Sequence, residues 1–138
     1  MNNMIELLHT GGYSCVISNG NEIRTFTKRG VADLYELIKN DPSFLNGSSV
    51  ADKIVGKAAA ALMILSGVSH IYADIISEPA IALIKQHTEI ELKSGKTVPF
   101  IENRDKSGIC PLENRCNSTD SLQELFVLIE KFIHKMSH

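Results

Sequence analysis

The sequence predicts an α/β fold, a three-layer α/β/α sandwich built on a mixed sheet. Two observations predict it: an early hairpin, and a strand–helix–strand unit over residues 70–92 set among segments with helical spacing of apolar residues. Because a strand–helix–strand connection is right-handed and parallel by default, parallel strands should join the antiparallel hairpin in one sheet. The 138 residues suit a single domain that spans 1–138.

The first third of the chain has clear local signals. Its predicted elements are a short helix, two hairpin strands and a second helix, at residues 4–9, 13–18, 22–27 and 31–39. Gly11-Gly12 ends the first helix. Asn19-Gly20 between two β-rich segments is the strongest short signal for a hairpin. These signals place an antiparallel pair near the start of the chain.

A long helix is predicted over residues 50–66. Ser49 and Asp52 have the spacing of a capping box at its start. Its second half is apolar all round, so it should be buried against the sheet, whereas Asp52, Lys53 and Lys57 make its first two turns polar. We therefore expect a pocket at the polar end of this helix.

The rest of the chain continues the alternation of strands and helices. A strand, a helix, a second strand, a further strand and a final amphipathic helix are predicted at residues 70–76, 77–86, 88–92, 97–101 and 119–136. Ser77 and Glu78 lie at the carboxyl end of a parallel strand, where α/β proteins commonly bind ligands. The same two residues also suit a plain N-cap followed by a first-turn acid.

Composition argues against several classes of function. The formal charge of −2 does not suit a general nucleic-acid binder, so no nucleic-acid partner is expected. The longest strictly apolar run, at 58–65, is too short for a membrane span. Three cysteines, an odd number, and a start unlike a signal peptide indicate reduced thiols in a cytoplasmic protein. A homo-oligomer stays open.

Two lysines and a glycine break local rules at the start of the long helix. Lys53 would meet the positive end of the helix dipole, which disfavours a cation by about 0.3–1 kcal/mol. Lys57 would follow one turn later, and Gly56 between them is about 1 kcal/mol less favourable than Ala. Either Gly56 allows close approach beside two lysines that face an anionic ligand, or the lysines reach solvent and Gly56 lets a neighbouring element pack.

The polar, aperiodic segment 102–116, ENRDKSGICPLENRC, is the second irregular region. Pro111 suits the first position of a short helix with Cys110 as its N-cap, where a thiol is biased towards thiolate. Asn103 and Arg104 offer donors for a carbonyl or a carboxylate. The alternative is a buried, inert Cys110 in a solvated loop.

The runs ADKIVGKAAA, SEP and VPFIENRDKSGICPLE resemble a small uncharacterised prokaryotic family that is assigned to the cytidine-deaminase fold. The likeness extends from the hairpin to Glu113. It implies a cytidine-deaminase-like fold and supplies no activity.

Zinc deaminases carry His or Cys-x-Glu at the start of their second long helix and Pro-Cys-x-x-Cys later. Here the matching helix start is expected at 50–53, which has no His or Cys, and the later motif is inverted to Cys110-Pro111. Glu113 stands where the second cysteine would be, and the H-x-E sequence at 87–89 lies in a predicted strand. We therefore expect no metal ion and no other cofactor.

Two functional hypotheses follow, and the sequence does not decide whether the protein is an enzyme. The first is a module that binds a small anionic or nucleotide-like molecule in a pocket between the 50–57 helix start and the 102–113 loop. Its ligand-binding residues would be Lys53, Lys57, Asn103, Arg104, Ser77 and Glu78. The second is a thiol-dependent enzyme with Cys110 as nucleophile and Asp52 or Glu113 moving protons. A zinc-dependent nucleoside deaminase ranks third.

Overall fold

A five-stranded mixed sheet lies at the centre of the computed structural model, which describes residues 1–28, 31–103 and 106–136. The strands are β1 (Cys15–Asn19), β2 (Glu22–Phe26), β3 (Ser49–Val55), β4 (His70–Ser77) and β5 (Glu91–Val98), in the order β2-β1-β3-β4-β5. β1 is antiparallel to both β2 and β3, whereas β3, β4 and β5 are mutually parallel. The predicted α/β class with a mixed sheet is confirmed.

Helices cover both faces of the sheet. They are α1 (Asn2–Thr10), α2 (Ala32–Asn40), α3 (Pro42–Leu45), α4 (Lys57–Leu65), α5 (Glu78–Lys85), α6 (Pro111–Cys116) and α7 (Leu122–Met136). On one face Met4 and Leu8 of α1 pack on Val16 and Ala51. Helices α2 to α7 share a larger core on the other face, with the apolar α4 at its centre. The predicted three-layer arrangement is confirmed. None of the described helices is long and apolar enough to cross a membrane.

The hairpin forms at Asn19-Gly20 as predicted. Asn19 pairs with Glu22, and Gly20 has a φ of 61°, a left-handed conformation that favours glycine. The Asn19 Nδ2 donates to the carbonyl oxygens of Phe44 at 2.7 Å and Asn46 at 3.0 Å. The turn is therefore attached to the segment around α3.

The predicted helix over residues 50–66 is wrong in its first half. Residues Ser49–Val55 form β3, which pairs with β1 on one side and β4 on the other, and the helix begins only at Lys57. A central strand with both faces buried lacks the polar–apolar alternation that marks a strand, so it resembles the start of a buried helix. Asp52 and Lys53 therefore lie on a strand and form neither a capping box nor a helical stripe with Lys57.

The later elements follow the prediction more closely. β4 and β5 are parallel and joined through α5, and the short helix after Cys110 is present. The two short strands predicted at 88–92 and 97–101 are instead one strand, Glu91–Val98. The H-x-E sequence at 87–89 lies before that strand and outside any helix.

Candidate functional site

Strands β3 and β4 end side by side, and each leads directly into a helix. Val55 pairs with Ile76 near the carboxyl ends of the two strands. Gly56 is the N-cap of α4, and Ser77 is the N-cap of α5. Ligands of α/β proteins usually bind at the carboxyl ends of parallel strands, so this edge is the candidate site.

The carboxylate of Glu113, from α6, closes the N-terminus of α4. The backbone N–H of Lys57 donates to its Oε1 at 2.5 Å, and that of Ala58 donates to its Oε2 at 3.1 Å. Glu113 is only 8% exposed. Gly56 has no side-chain oxygen, so Glu113 takes the role that an N-cap side chain usually performs.

Gly56 makes room for this carboxylate. A Cβ at this position would lie 2.5 Å from Cδ of Glu113 and closer still to Oε1. Of the two interpretations of Gly56, the structure matches the one in which glycine lets a neighbouring element pack, and that element is α6. The group beside the glycine is the chain's own carboxylate.

Lys57 brings a buried positive charge to the same turn of α4. The residue is 5% exposed, and its Nζ lies 2.7 Å from Oδ1 of Asp120. Burial raises the pKa of Glu113 above its usual range, although the Lys57 and Ala58 N–H groups and the Lys57 charge oppose the shift. Lys57 also holds the pKa of Asp120 below its usual range.

Sequence reasoning missed Asp120. A Ser-Thr-Asp-Ser run before the last helix suggests ordinary capping, which hides any longer-range role. In the structure Ser121 accepts from the Glu124 N–H at 3.3 Å and serves as the cap of α7. Asp120 is therefore not needed as the cap of α7 and pairs with Lys57 instead. The sequence signal that could have revealed this role is that the run holds more capping residues than one helix start needs.

The two cysteines of α6 have different environments. Cys110 is the N-cap of α6, as predicted; it is half-buried, and its thiol makes no capping hydrogen bond. Cys116 is buried at the other end of the helix, where burial raises its pKa to about 12 and the Glu113 charge adds to the shift. The thiol beside the buried charges is thus held protonated, and the more accessible thiol is Cys110.

Asp52 lies in a different part of the molecule. It is opposite Cys15 of β1 in the sheet, and its Oδ1 accepts from the Ile54 N–H at 3.2 Å. Burial raises the pKa of Asp52 to about 7, and the charge of Asp74 adds to this shift. The two alternatives predicted for the proton-handling role, Asp52 and Glu113, thus lie in separate parts of the molecule, and only Glu113 lies near Cys110.

The other predicted site residues also lie apart from one another in the structure. Ser77 is buried and accepts from the Ala80 N–H at 3.2 Å, while Glu78 is exposed, as the plain N-cap interpretation requires. Asn103 bonds within its own loop, to the side chain and backbone of Ser107 at 3.1 and 3.0 Å. Lys53 is half-buried on β3, and Arg104 lies outside the described residues. The structure brings together Lys57 and Glu113, with Cys110 one turn away.

The space between the start of α4 and residues 110–113 is filled by the Glu113 side chain. Two shallow depressions of about 400 and 380 Å³ lie elsewhere, beside the first turns of α7 and between the start of α1 and Lys93. Among the described residues, no three His, Cys, Asp or Glu side chains are grouped so as to hold a metal ion. The candidate site is therefore a closed, charged helix start.

The sequence profile described as "TM1506: Domain of unknown function (DUF1893)" matches residues 3–133. The chain belongs to this family. A solved structure of a DUF1893 family protein (TM1506) from Thermotoga maritima is similar to it, with a TM-score of 0.85 and 26% sequence identity. The match covers 94% of this chain and 87% of that one. No curated protein matches. DUF1893 membership agrees with the resemblance to an uncharacterised family and names no activity.

Proposed function

We propose that this DUF1893 protein binds a small anion, a carboxylate or a phosphate group, at the N-terminus of α4. The observation that carries the proposal is the Glu113 carboxylate held by the N–H groups of Lys57 and Ala58. Free N–H groups at the positive end of a helix dipole form a common anion-binding arrangement. Glu113 acts as an internal ligand that an external anion replaces.

The energetics favour a functional role over simple closure of the helix. α5 is closed by its own Ser77, a neutral side chain from the adjacent residue. α4 is closed instead by a buried carboxylate, whose lost hydration offsets much of what its hydrogen bonds to the two N–H groups contribute. Buried acids with raised pKa values at a ligand edge are typical of functional sites. The raised pKa of Glu113 also means that protonation loosens this internal ligand at a higher pH than it would for an ordinary glutamate.

We also propose that the fold is deaminase-like and lacks the zinc chemistry of that fold. The helices after β3 and β4 are then the counterparts of those that carry the zinc motifs, which moves the second motif from Cys110-Pro111, the position expected from the sequence, to the start of α5. Their first residues are Gly56-Lys57-Ala58 and Ser77-Glu78-Pro79-Ala80, so neither start offers a His or Cys ligand. The first of these helices begins at residue 57 and not at the predicted residue 50, but its start still offers no zinc ligand.

Rescue of a Glu113→Ala variant by added anions tests the binding proposal. The variant vacates the N–H groups of Lys57 and Ala58, and inorganic phosphate or acetate should occupy them. A single site gains about 2.7 kcal/mol of stability at an anion concentration of 100 Kd. The measurement is the unfolding temperature of the variant against anion concentration at constant ionic strength.

The matched control is Glu124→Ala, which removes an exposed glutamate of α7. We expect phosphate or acetate to stabilise Glu113→Ala far more than this control, and to lose that effect in Gly56→Ala/Glu113→Ala, where a Cβ narrows the site. Equal stabilisation of both single variants would contradict the proposal. If Glu113→Ala is unfolded in plain buffer, failure of both anions to restore its circular dichroism spectrum contradicts it equally.

A thiol-dependent activity is the second candidate function. The favouring observation is Cys110 at the predicted N-cap position, half-buried and one turn from Glu113, whereas Cys15 and Cys116 are buried. Site-resolved alkylation by mass spectrometry against pH tests it. A Cys110 midpoint well below the ordinary value of about 8.5 supports a nucleophile. A midpoint at or above that value rules the role out.

A further inference from the structure

The second face of the sheet is only partly covered. α1 packs through Met4 and Leu8 on Val16 and Ala51, with Tyr72 of β4 at the margin. Ile54 and Ile75, paired on β3 and β4 nearer the carboxyl ends, pack in neither core cluster, and Ile54 is 42% exposed. The next residues, Val55 and Ile76, pack in the larger core, so alternation places the two isoleucines on the α1 face, beyond the part that α1 covers. The β3–β4 ladder lacks a pair between Lys53 and Asp74, and at this interruption the alternation set by Ala51 and Tyr72 shifts by one residue.

Three lysines surround these isoleucines. Lys53 precedes Ile54 on β3, and on β5 Lys93 pairs with Tyr72 and Lys96 pairs with Ile75. In the described part of the chain none of the three has an ion-pair partner. The lysine–isoleucine face, defined as Lys53, Ile54, Ile75, Lys93 and Lys96, is thus a basic, apolar surface on a chain of net charge −2.

The neighbouring acid on this face does not neutralise the lysines. Asp74 lies on β4, next to Ile75, and its Oδ1 is 2.8 Å from Nε2 of His9. The Tyr72 hydroxyl donates to the same oxygen at 2.6 Å. The first contact joins α1 to β4, and the second lies within β4. Neither involves a lysine, so the positive charge of the lysine–isoleucine face is left for a group of another molecule to neutralise.

We infer that the lysine–isoleucine face docks an acidic amphipathic helix of a partner protein, which lies beside α1. Sheet faces in layered α/β proteins are covered by helices, and here one helix covers only part of the face. The same face of a second copy carries the same three positive charges, so self-pairing there is repulsive. An acidic amphipathic helix suits both the apolar and the basic part of this face. Its apolar side chains contact Ile54 and Ile75, and its carboxylates pair with Lys53 and Lys96. This inference does not depend on the proposed anion site.

A designed peptide tests the inference directly. The probe is a fluorescent 14-residue amphipathic helix of Leu and Glu, compared with a Leu and Lys peptide of identical pattern, by anisotropy and by amide chemical shifts. We expect only the acidic peptide to bind, with shift changes centred on the lysine–isoleucine face. Lys53→Glu/Lys96→Glu and Ile54→Asp should each weaken its binding about tenfold or more, as loss of complementary charge or apolar contact predicts.

The matched control is Val127→Asp, which changes an exposed apolar residue of α7 and should leave binding unchanged. Equal binding of both peptides, shifts confined to other surfaces, or full affinity in Lys53→Glu/Lys96→Glu would overturn the inference. So would self-association in sedimentation that this double variant abolishes, because the face would then bind a second copy. Stronger binding of a single-stranded RNA oligomer than of the acidic peptide overturns it as well.

Discussion

Two neighbouring helices that follow parallel strands are closed at their N-termini in opposite ways. α5 begins after Ser77, whose own side chain accepts from the Ala80 N–H three residues later. α4 begins after Gly56, which has no side chain, and its N–H groups are bound by Glu113 from 56 residues away. One helix start is completed by local sequence and the other by tertiary structure. The second kind can open without unwinding the helix, so it is the one suited to exchange its occupant.

The strongest test of this contrast between the two helix starts is Gly56→Ala. A Cβ at residue 56 displaces the Glu113 carboxylate, which uncaps α4 and leaves a buried carboxylate without its two N–H partners. Leaving a buried charged group without its hydrogen bonds typically costs about 3 kcal/mol or more, and we expect a loss of that size by urea denaturation. Gly108→Ala is the matched control, because a Cβ there meets no neighbouring atom and its loss should stay within about 0.5 kcal/mol. Equal losses in the two variants would show that Glu113 contributes nothing specific.

The strands that lead into the two helices also differ, because a buried acid on β3 makes the contribution of that strand to stability depend on pH. Asp52 of β3 is opposite Ala73 of β4, and burial raises the pKa of Asp52 from 3.8 to about 7. The folded state therefore binds this proton more tightly, so the contribution of Asp52 to stability is greatest below about pH 4 and is lost as the pH rises through about 7. Asp52→Asn has no proton to lose, so its free energy of unfolding at pH 8 should exceed that of wild type by about 2 kcal/mol. This is roughly half of what the whole pKa shift would give, because solvent screens part of the interaction at this side chain.

Denaturation at several pH values measures this gain, and Asp41→Asn supplies a control of opposite sign. Arg24 holds the pKa of Asp41 below its usual range. The Asp41 contribution is thus present at neutral pH and disappears as the pH falls, so the control should differ from wild type at neutral rather than acidic pH. Parallel profiles for wild type and Asp52→Asn would show that Asp52 titrates normally.

The smallest expected effect is at the locally closed helix. Ser77→Ala removes the bond to the Ala80 N–H, and loss of such a cap typically destabilises by about 1 kcal/mol. Ser121→Ala removes the equivalent cap of α7 and should have a similar effect. Thermal unfolding of both variants checks this. If Ser77→Ala lost as much stability as Gly56→Ala, the contrast between local and tertiary closure would be wrong.

The same contrast explains how much of the fold the sequence predicted. The hairpin at Asn19-Gly20, the cap at Ser77 and the helix after Cys110-Pro111 each rest on residues within a few positions of one another. Local chemistry decides such features, and the structure contains all three. The mixed sheet followed from them because topology rules limit how such units combine.

The predictions failed where tertiary contacts decide. Val50 and Ala51 are buried between β1 and β4, so β3 shows no alternation and runs into alanine-rich α4 with only Gly56 between them. For the same reason the lysines at 53 and 57 seemed to share one helical stripe. Glu113 was recognised as a candidate, but no sequence pattern shows that its partners are the N–H groups of a helix 56 residues earlier.

The hairpin turn also sets a chemical lifetime for the protein. Asn-Gly is the dipeptide most prone to deamidation, because glycine lets the following backbone nitrogen attack the asparagine amide with little steric hindrance. In this turn the Asn19 amide donates to the carbonyl oxygens of Phe44 and Asn46. Deamidation would replace that donor with a carboxylate facing two carbonyls, a repulsive contact. The chain has a second Asn-Gly at Asn46-Gly47. Ageing of a stored preparation should therefore begin at these two turns, with one negative charge gained at each, and deamidation of Asn19 should also loosen the contact to α3.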